Sequence, residues 1–257
     1  RPTLDNLAAN GVTLGDFHSA APVCSPARAS YLTGRLPARA GLPNVLFPGG
    51  GFKNLLFSVI LNPDSNVRLP AEEITLAEIL SAVGYRTGIV GKWHLGDIEE
   101  SYPHKQGFDE AFFTGYNQIL SLNTKVAEGA NASIGLYEEM LPPDPYHLDD
   151  TFITKGWVQI AEGTKGGETR QWGDNSHDNY MKIDPEAQKR TLEFIERNAK
   201  AGKPFYVANW PNLTSFIPNP KKCSTSRSIL QDGLQCNIDP FIGKIMDKLK
   251  ELGIPFE

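Results

Sequence analysis

The residue types with the clearest potential for chemistry stand together in one short run. Residues 24–28 read Cys-Ser-Pro-Ala-Arg, and we call this run the Cys24 motif. Pro26 has a fixed φ that suits a first helical turn, so a helix is predicted to begin just after Cys24. Cys24 would then lie at the positive end of that helix, where free backbone N–H groups favour an anion. Arg28 follows one turn later on the same face. The motif therefore brings a nucleophile position and a permanent cation to one small anionic group, such as sulfate or phosphate.

A second polar segment, Gly-Lys-Trp-His at 91–94, directly follows a buried strand predicted over 87–90. Because α/β sheets bind their ligands at the carboxyl ends of strands, Lys92 and His94 are expected at such an edge. Two residues apart in an extended segment, their side chains would project to the same side. Lys92 offers a flexible point charge, and His94 can hydrogen-bond a reacting group or orient it. Taken alone, this tetrapeptide fits a surface lysine and a packed tryptophan equally well, but beside the Cys24 motif the functional interpretation is favoured roughly tenfold.

The elements that must position these side chains follow an α/β pattern. Helices are predicted over 4–9, 25–32, 72–83, 185–199 and 240–252, and strands over 12–17, 87–90 and 205–209. Residues 35–70 are rich in glycine and proline and are predicted to form a long surface loop around the site. The pattern favours one α/β domain in which helices flank a sheet.

Composition agrees with this assignment and excludes some classes of function. The chain has 257 residues, of which 40% are hydrophobic and 21% charged, which suits one large α/β domain. A net charge of −5 gives no electrostatic case for nucleic acid, whose binding proteins carry basic patches. The longest apolar run, over 55–61, is interrupted by Ser58 and is far below the ~18 residues of a membrane span. An acidic chain can still hold an anionic ester where Arg28 and Lys92 dominate the pocket.

The Cys24 motif, extended over 22–34, and the block at 84–96 resemble the two signatures of the type I sulfatases. In that family the cysteine is converted to Cα-formylglycine, whose aldehyde hydrate serves as the nucleophile. The block at 84–96 matches residue for residue, whereas Tyr31 stands where the family prefers an aliphatic residue, Phe or Trp. Looser likeness covers most of the chain and is weakest from about 117 to 182. The resemblance implies an alkaline-phosphatase-like α/β fold, with a mixed, mostly parallel sheet flanked by helices.

The resemblance also implies roles for four residues. Cys24 would be the nucleophile precursor and a metal ligand, Arg28 its electrostatic partner, Lys92 a sulfate binder and His94 the group that orients the hydrate. One hydroxyl of the hydrate would attack sulfur and expel the alcohol, and the second would then lose a proton and eject sulfate. A calcium ion held by carboxylates would neutralise the sulfate oxygens. The implied partners are a small-molecule or glycan sulfate ester and a formylglycine-generating enzyme.

The sequence departs from the family pattern in its metal ligands. The family's Asp-Asp pair lies upstream of the residues matching 3–7, and its later Asp-Asn or Asp-Gln pair follows the helix that here ends near Gly253. We therefore expect residues 1–257 to be a partial catalytic domain that lacks most of the calcium ligands. Asp174 and Asn175 precede the strand at 205–209 and are predicted to lie in a loop. The histidine usually found after that strand is missing, since 211–216 read Pro-Asn-Leu-Thr-Ser-Phe.

The cysteines and two sequons bear on the compartment. If Cys24 is the modified cysteine, Cys223 and Cys236 could close a short disulfide loop. Asn131 and Asn212 begin glycosylation sequons, for which unmodified surface loops are about as strongly favoured as glycans. Together these features favour a secreted, periplasmic or lysosomal protein.

Several other side chains invite a chemical interpretation. The tryptophans could line a sugar or aryl pocket; they are Trp93, Trp157, Trp172 and Trp210. His104 lies in a polar stretch and is predicted to be at the surface. A structural, hydrogen-bonded role is favoured for His18 over a catalytic one.

Three functions remain open from the sequence. The first is a calcium-dependent sulfuric ester hydrolase acting on a sulfated carbohydrate or an aryl sulfate. The second is a phosphomonoester or phosphonate hydrolase of the same superfamily, which a comparison of sulfate and phosphate turnover would separate. The third is a non-catalytic paralogue or fragment that keeps the fold.

Overall fold

A computed structural model describes residues 1–46, 61–62, 68–96, 98–115, 160–173, 177–212 and 234–255. Its α-helices are α1 (Pro2–Asn10), α2 (Cys24–Thr33), α3 (Leu76–Ala82), α4 (His177–Lys200) and α5 (Asp239–Glu251). Its strands are β1 (Val45–Leu46), β2 (Leu61–Asn62), β3 (Arg86–Lys92), β4 (Glu110–Thr114), β5 (Ile160–Thr164), β6 (Arg170–Gly173) and β7 (Phe205–Trp210). Within these ranges no helix combines the length and apolar character required to cross a bilayer.

The main sheet has the strand order β6-β5-β4-β3-β7. Strand β3 pairs in parallel with both β4 and β7, whereas β5 and β6 are added antiparallel. In this register Lys92 lies opposite Thr114, and Gly91 lies opposite both Phe113 and Trp210. The prediction of a mixed α/β sheet flanked by helices is therefore confirmed, and β3 ends between two parallel neighbours.

Each face of the sheet buries its own apolar cluster. The larger cluster joins Ile89, Trp93 and Phe113 to Leu32 of α2. The smaller cluster lies under α4 and contains Val90, Phe112, Ile160, Ile183 and Ala187. Successive residues of a strand face opposite sides, so Ile89 and Val90 divide between the two clusters. This two-sided burial is expected for a strand in the interior of an α/β sheet.

Side-chain caps determine where two of the helices begin. The Thr75 hydroxyl accepts the Glu78 backbone N–H at 3.2 Å, and the Glu78 carboxylate accepts the Thr75 backbone N–H at 2.7 Å. This capping box starts α3 at Leu76, four residues after the predicted start at 72. At the first helix, the Asp239 carboxylate accepts the backbone N–H groups of Thr3 and Leu4. The cap links α1 to the start of α5.

Two predictions of local structure are wrong. Residues 12–17 form no strand, and Val12 and Phe17 are exposed. An extended segment becomes a strand only when a neighbour accepts and donates its backbone hydrogen bonds, and among the described residues no strand pairs with this segment. The interval 35–70 is not simply a surface loop, because Leu42 and Leu69 are buried in the core. The pairing of β1 with β2 also lies in this interval.

Candidate functional site

Helix α2 places Cys24 at its first turn. The chain is extended at Val23, the helix starts at Cys24, and Gly34 ends it in the left-handed region with φ 66°. Cys24 is a free thiol with intermediate exposure. The first N–H groups of a helix have no partner within the helix and carry the positive end of its dipole. The predicted helix is thus confirmed, with Cys24 at the end where an anion is favoured.

Arg28 is held on both sides. Its guanidinium donates to the Lys92 carbonyl at 2.6 Å and lies 4.6 Å above the ring of Trp210. Burial lowers the pKa of Arg28 to about 10, and attraction to Cys24 partly opposes this shift. The side chain therefore remains charged at neutral pH, and it is a fixed cation beside Cys24.

Lys92 adds a second cation at the end of β3. The side chain is buried, and its ammonium is attracted by Cys24. Burial and repulsion from Arg28 lower the pKa of Lys92 to about 8, against the opposing attraction of Cys24. A bound anion would favour the charged ammonium and raise this pKa again. The site is therefore short of negative charge until an anionic group enters it.

A glycine allows Lys92 to reach Cys24. Strict alternation would place Lys92 on the same face as Val90, under α4. Gly91 has φ 102°, a conformation that side chains disfavour and that interrupts the alternation of the strand. The ammonium can thus approach α2, which lies on the other face.

His94 is placed by long-range contacts and not by an extended backbone. Its φ is 64°, so the predicted extended geometry of this segment is wrong. The imidazole is buried, and its Nε2 lies 2.8 Å from the Leu46 carbonyl oxygen. Because a carbonyl only accepts, Nε2 must carry the hydrogen. Burial, followed by repulsion from Lys92, lowers the pKa of His94 well below its usual value. The neutral ring therefore has its lone pair on Nδ1.

Ser25 connects the Cys24 motif to His94, a link that sequence analysis missed. The buried Ser25 hydroxyl accepts the Leu46 backbone N–H at 3.1 Å, and the Leu46 carbonyl accepts from His94. The contact passes through the backbone of β1, so no side-chain pattern could have revealed it. The position of the imidazole is therefore tied to the residue next to the nucleophile position.

An open cavity of about 600 Å³ lies against the site. Its lining includes Cys24, Arg28, Tyr31 and Trp210, so Trp210 is the one tryptophan of the described ranges that lines it. Trp93 is fully buried, and Trp172 packs edge-on against Phe112 on the α4 side; Trp157 lies outside the described residues. A larger cavity, about 680 Å³, lies between the sheet and α4. Cys24 does not line that cavity, whose walls include the ion pair of Arg190 with Glu162, so it is not the candidate site.

The described residues do not by themselves fit calcium. They include no group of three or more His, Cys, Asp or Glu side chains that could hold a metal ion. Calcium takes about 6–8 oxygen ligands, whereas the groups around Cys24 are the cations Arg28 and Lys92. Asp174 and Asn175 lie outside the described residues. Cys24 therefore remains a metal ligand by prediction only.

Asn212 and His104 differ from their predicted surface positions. Asn212, which begins a sequon, is 1% exposed, and its side-chain oxygen accepts from Thr114. It does not present an acceptor for a glycan in the folded chain; Asn131 lies outside the described residues. His104 is also 1% exposed, and it hydrogen-bonds Thr169.

The predicted states of two of the three cysteines agree with the structure. Cys236 is disulfide-bonded and Cys24 is free, while Cys223 lies outside the described residues. His18 is exposed beside Asp16 and has no place among the groups around Cys24.

A helix N-terminus, a fixed guanidinium and a buried ammonium around one cysteine define an anion site in an α/β protein. Comparison with known protein families identifies the class of protein, because the Sulfatase family model matches residues 1–255. The chain belongs to the sulfatase family.

Relatives extend this assignment over the chain. It is 30% identical over 259 residues to N-acetylgalactosamine-6-sulfatase of Canis lupus familiaris, covering 98% of this chain and 42% of that protein. Over 95 residues it is 50% identical to arylsulfatase A of Bos taurus, covering 37% of this chain and 16% of that protein. The crystal structure of PsFucS1 sulfatase from Pseudoalteromonas sp. matches with a TM-score of 0.72 at 27% identity, over 98% of this chain and 46% of that one. The chain thus spans less than half the length of these relatives.

Proposed function

We propose that this chain is part of an enzyme that hydrolyses sulfate esters, with residue 24 acting as formylglycine made from Cys24. The observation that carries the proposal is the convergence of Arg28 and Lys92 on Cys24 at a helix N-terminus. This arrangement attracts a small anion and offers a nucleophile position beside it. Relatives named N-acetylgalactosamine-6-sulfatase and arylsulfatase A support a sulfated carbohydrate or an aryl sulfate as the substrate.

The residues around position 24 would divide the work of binding and proton transfer. As formylglycine hydrate, residue 24 would supply one hydroxyl that attacks sulfur and a second whose deprotonation releases sulfate. Arg28, held by the Lys92 carbonyl, would keep a cation beside that residue throughout. Lys92 would bind a sulfate oxygen, and the approaching anion would keep its ammonium charged. His94 would accept a hydroxyl proton at Nδ1, because its Nε2 hydrogen is committed to Leu46.

We further propose that residues 1–257 are a partial catalytic domain and that carboxylates outside the described residues complete a calcium site. Support comes from the ligand count, since a divalent cation needs oxygen donors that the described residues do not bring together. The positive charge of Arg28 and Lys92 alone would otherwise have to balance the sulfate.

The compartment and the maturation partner are part of the same proposal. We propose a secreted, periplasmic or lysosomal protein, because the disulfide at Cys236 is favoured in oxidising compartments. A formylglycine-generating enzyme would act on the Cys24 motif, in which Pro26 and Arg28 follow the cysteine at fixed spacing. That conversion would precede burial of the motif, since Pro26 is buried in the folded chain.

Co-expression with a formylglycine-generating enzyme tests the proposal. Peptide mass mapping should show Cys24 converted to an aldehyde, and a Pro26→Ala variant should be converted less. The full-length protein should then turn over sulfate esters in preference to phosphate esters, and a Cys24→Ala variant should not. An unmodified thiol throughout, or phosphate turnover above sulfate turnover, would contradict it.

A further inference from the structure

We propose that Thr114, Asn212 and Asp184 form a buried positioning network that holds His94, acting from the side of the sheet covered by α4. The network uses none of the groups that surround Cys24. The expected effect of the network on kcat rests on the proposed function. Its effect on the protection of the backbone around His94 does not, because that protection can be measured without turnover.

The three residues are joined by two hydrogen bonds near the carboxyl ends of β4 and β7. Thr114 is the last residue of β4, and its hydroxyl donates to the Asn212 side-chain oxygen at 3.0 Å. The Asn212 backbone N–H donates to an Asp184 carboxylate oxygen at 2.8 Å. Thr114, Asn212 and Asp184 are 0%, 1% and 4% exposed. Hydrogen bonds buried to this extent are costly to break, because the freed groups have no water to bind.

The backbone of Thr114 carries the network into the site. Its carbonyl accepts the Trp93 N–H at 2.9 Å, and the next carbonyl, of Gly115, accepts the His94 N–H at 3.1 Å. These bonds hold the chain where it leaves β3 and where His94 adopts φ 64°. A left-handed conformation costs a non-glycine residue about 1–2 kcal/mol, so it persists only where neighbouring contacts impose it.

The network also fixes both strands that flank β3. Asn212 follows Trp210, the last residue of β7, by two positions, while Thr114 ends β4. Asp184 anchors the pair to α4 through the Asn212 backbone. The ring beneath Arg28 and the carbonyls that hold His94 are therefore set by the same hydrogen bonds. This role also explains why Asn212 is buried although it begins a sequon.

Two variants and a matched control test the network. Thr114→Val keeps the shape of the side chain and removes the hydroxyl, and Asn212→Ala removes the acceptor. Thr87→Val is the control, because its buried hydroxyl donates to the Gly107 carbonyl at 2.8 Å near the other end of β3. The control removes at least as much buried hydrogen bonding as the test variants, because the Thr87 hydroxyl also accepts the Asp109 backbone N–H at 2.9 Å. Only the first two variants lose a hydrogen bond next to the site.

Amide hydrogen exchange gives the direct readout and requires no turnover. A peptide covering residues 91–96 should exchange about tenfold faster in Thr114→Val and Asn212→Ala, the scale of losing one buried hydrogen bond. In Thr87→Val the exchange rate of this peptide should equal the wild-type rate once any change in global stability has been subtracted. Unchanged protection in Thr114→Val, or an equal increase in the control, would overturn the proposal. Should Asn212→Ala not fold, the milder Thr114→Val decides.

The kinetic arm separates this inference from the proposed function. In the matured full-length protein, Thr114→Val should lower kcat about tenfold with KM changed less than about twofold, because positioning acts on the transition state. Thr87→Val should retain both constants, and equal losses in the two variants would overturn the positioning role. If the wild type hydrolyses no sulfate ester, the proposed function fails, and the exchange data alone decide on the network.

Discussion

Replacing Gly91 by alanine should damage the fold at the point where Lys92 is delivered to the site. A Cβ at this position would lie 1.9 Å from the Trp210 carbonyl oxygen and 2.7 Å from its carbon. Ordinary contact between such atoms begins at about 3.5 Å, so the two backbones must separate by roughly 1.5 Å. Both belong to paired strands, and neither can turn aside as a flexible side chain would.

The expected magnitude has two parts. The φ of 102° at Gly91 would cost alanine about 1–2 kcal/mol. Forcing β3 from β7 should break or stretch a buried hydrogen bond, at a cost of about 1–3 kcal/mol. We therefore expect the free energy of unfolding to fall by about 2–5 kcal/mol in Gly91→Ala, a large fraction of a typical domain stability of about 5–15 kcal/mol.

Gly84 provides the control, because its φ is 93° and nothing lies within 4 Å of its ideal Cβ. Gly84→Ala should lose only the conformational part, about 1–2 kcal/mol. Urea unfolding of both variants, followed by tryptophan fluorescence, measures the difference. Equal stabilities for the two variants would show that β3 and β7 are not paired at Gly91 as described. A less stable Gly91→Ala that also exposes Lys92 to chemical labelling would support the link between this glycine and the site.

Three further predictions address charge and chemistry. In the full-length protein, Lys92→Ala and His94→Ala should each lower sulfate-ester turnover by about 10² or more, and near-wild-type kinetics would remove that residue from the site. Burial lowers the pKa of His104, so the unfolded state binds more protons than the folded state. The free energy of unfolding should therefore fall as the pH drops below about 6.5. Urea titrations at several pH values should show a smaller decrease in His104→Gln. Calorimetric titration of this 257-residue chain should show weak calcium binding, and tight binding would place ligands among residues assigned to loops, Asp174 and Asn175 first.

Local signals predicted the elements near the site well. The helix at 25–32 and the strands at 87–90 and 205–209 correspond to α2, β3 and β7. Each depends on properties of a few consecutive residues, such as a proline with a fixed φ or a continuous apolar run. The strand predicted at 12–17 failed for the opposite reason, because a strand needs a neighbour and a short window of sequence does not contain it.

In the site, too, local sequence patterns identify residues, whereas long-range contacts determine their geometry. Four residues were selected from two short motifs, yet the expected extended path at His94 is wrong, because β4 and Leu46 impose a left-handed turn there. Asn212 begins a glycosylation sequon, yet it lies buried against Thr114. In both cases the deciding partner is distant in the chain.

The sequence by itself determined the chemistry that this protein can offer: a cysteine before Pro26 at a helix start, Arg28 one turn on, and a Gly-Lys-Trp-His block resembling a sulfatase signature. Those properties are local, since φ restriction and helix capping act over a few residues. The tertiary structure decided the rest. It lowered the pKa of Lys92 to about 8 by burying it beside Arg28, set the imidazole through Leu46, and enclosed Asn212. Burial and hydrogen bonding depend on residues brought together from distant segments, so only the folded chain could reveal them.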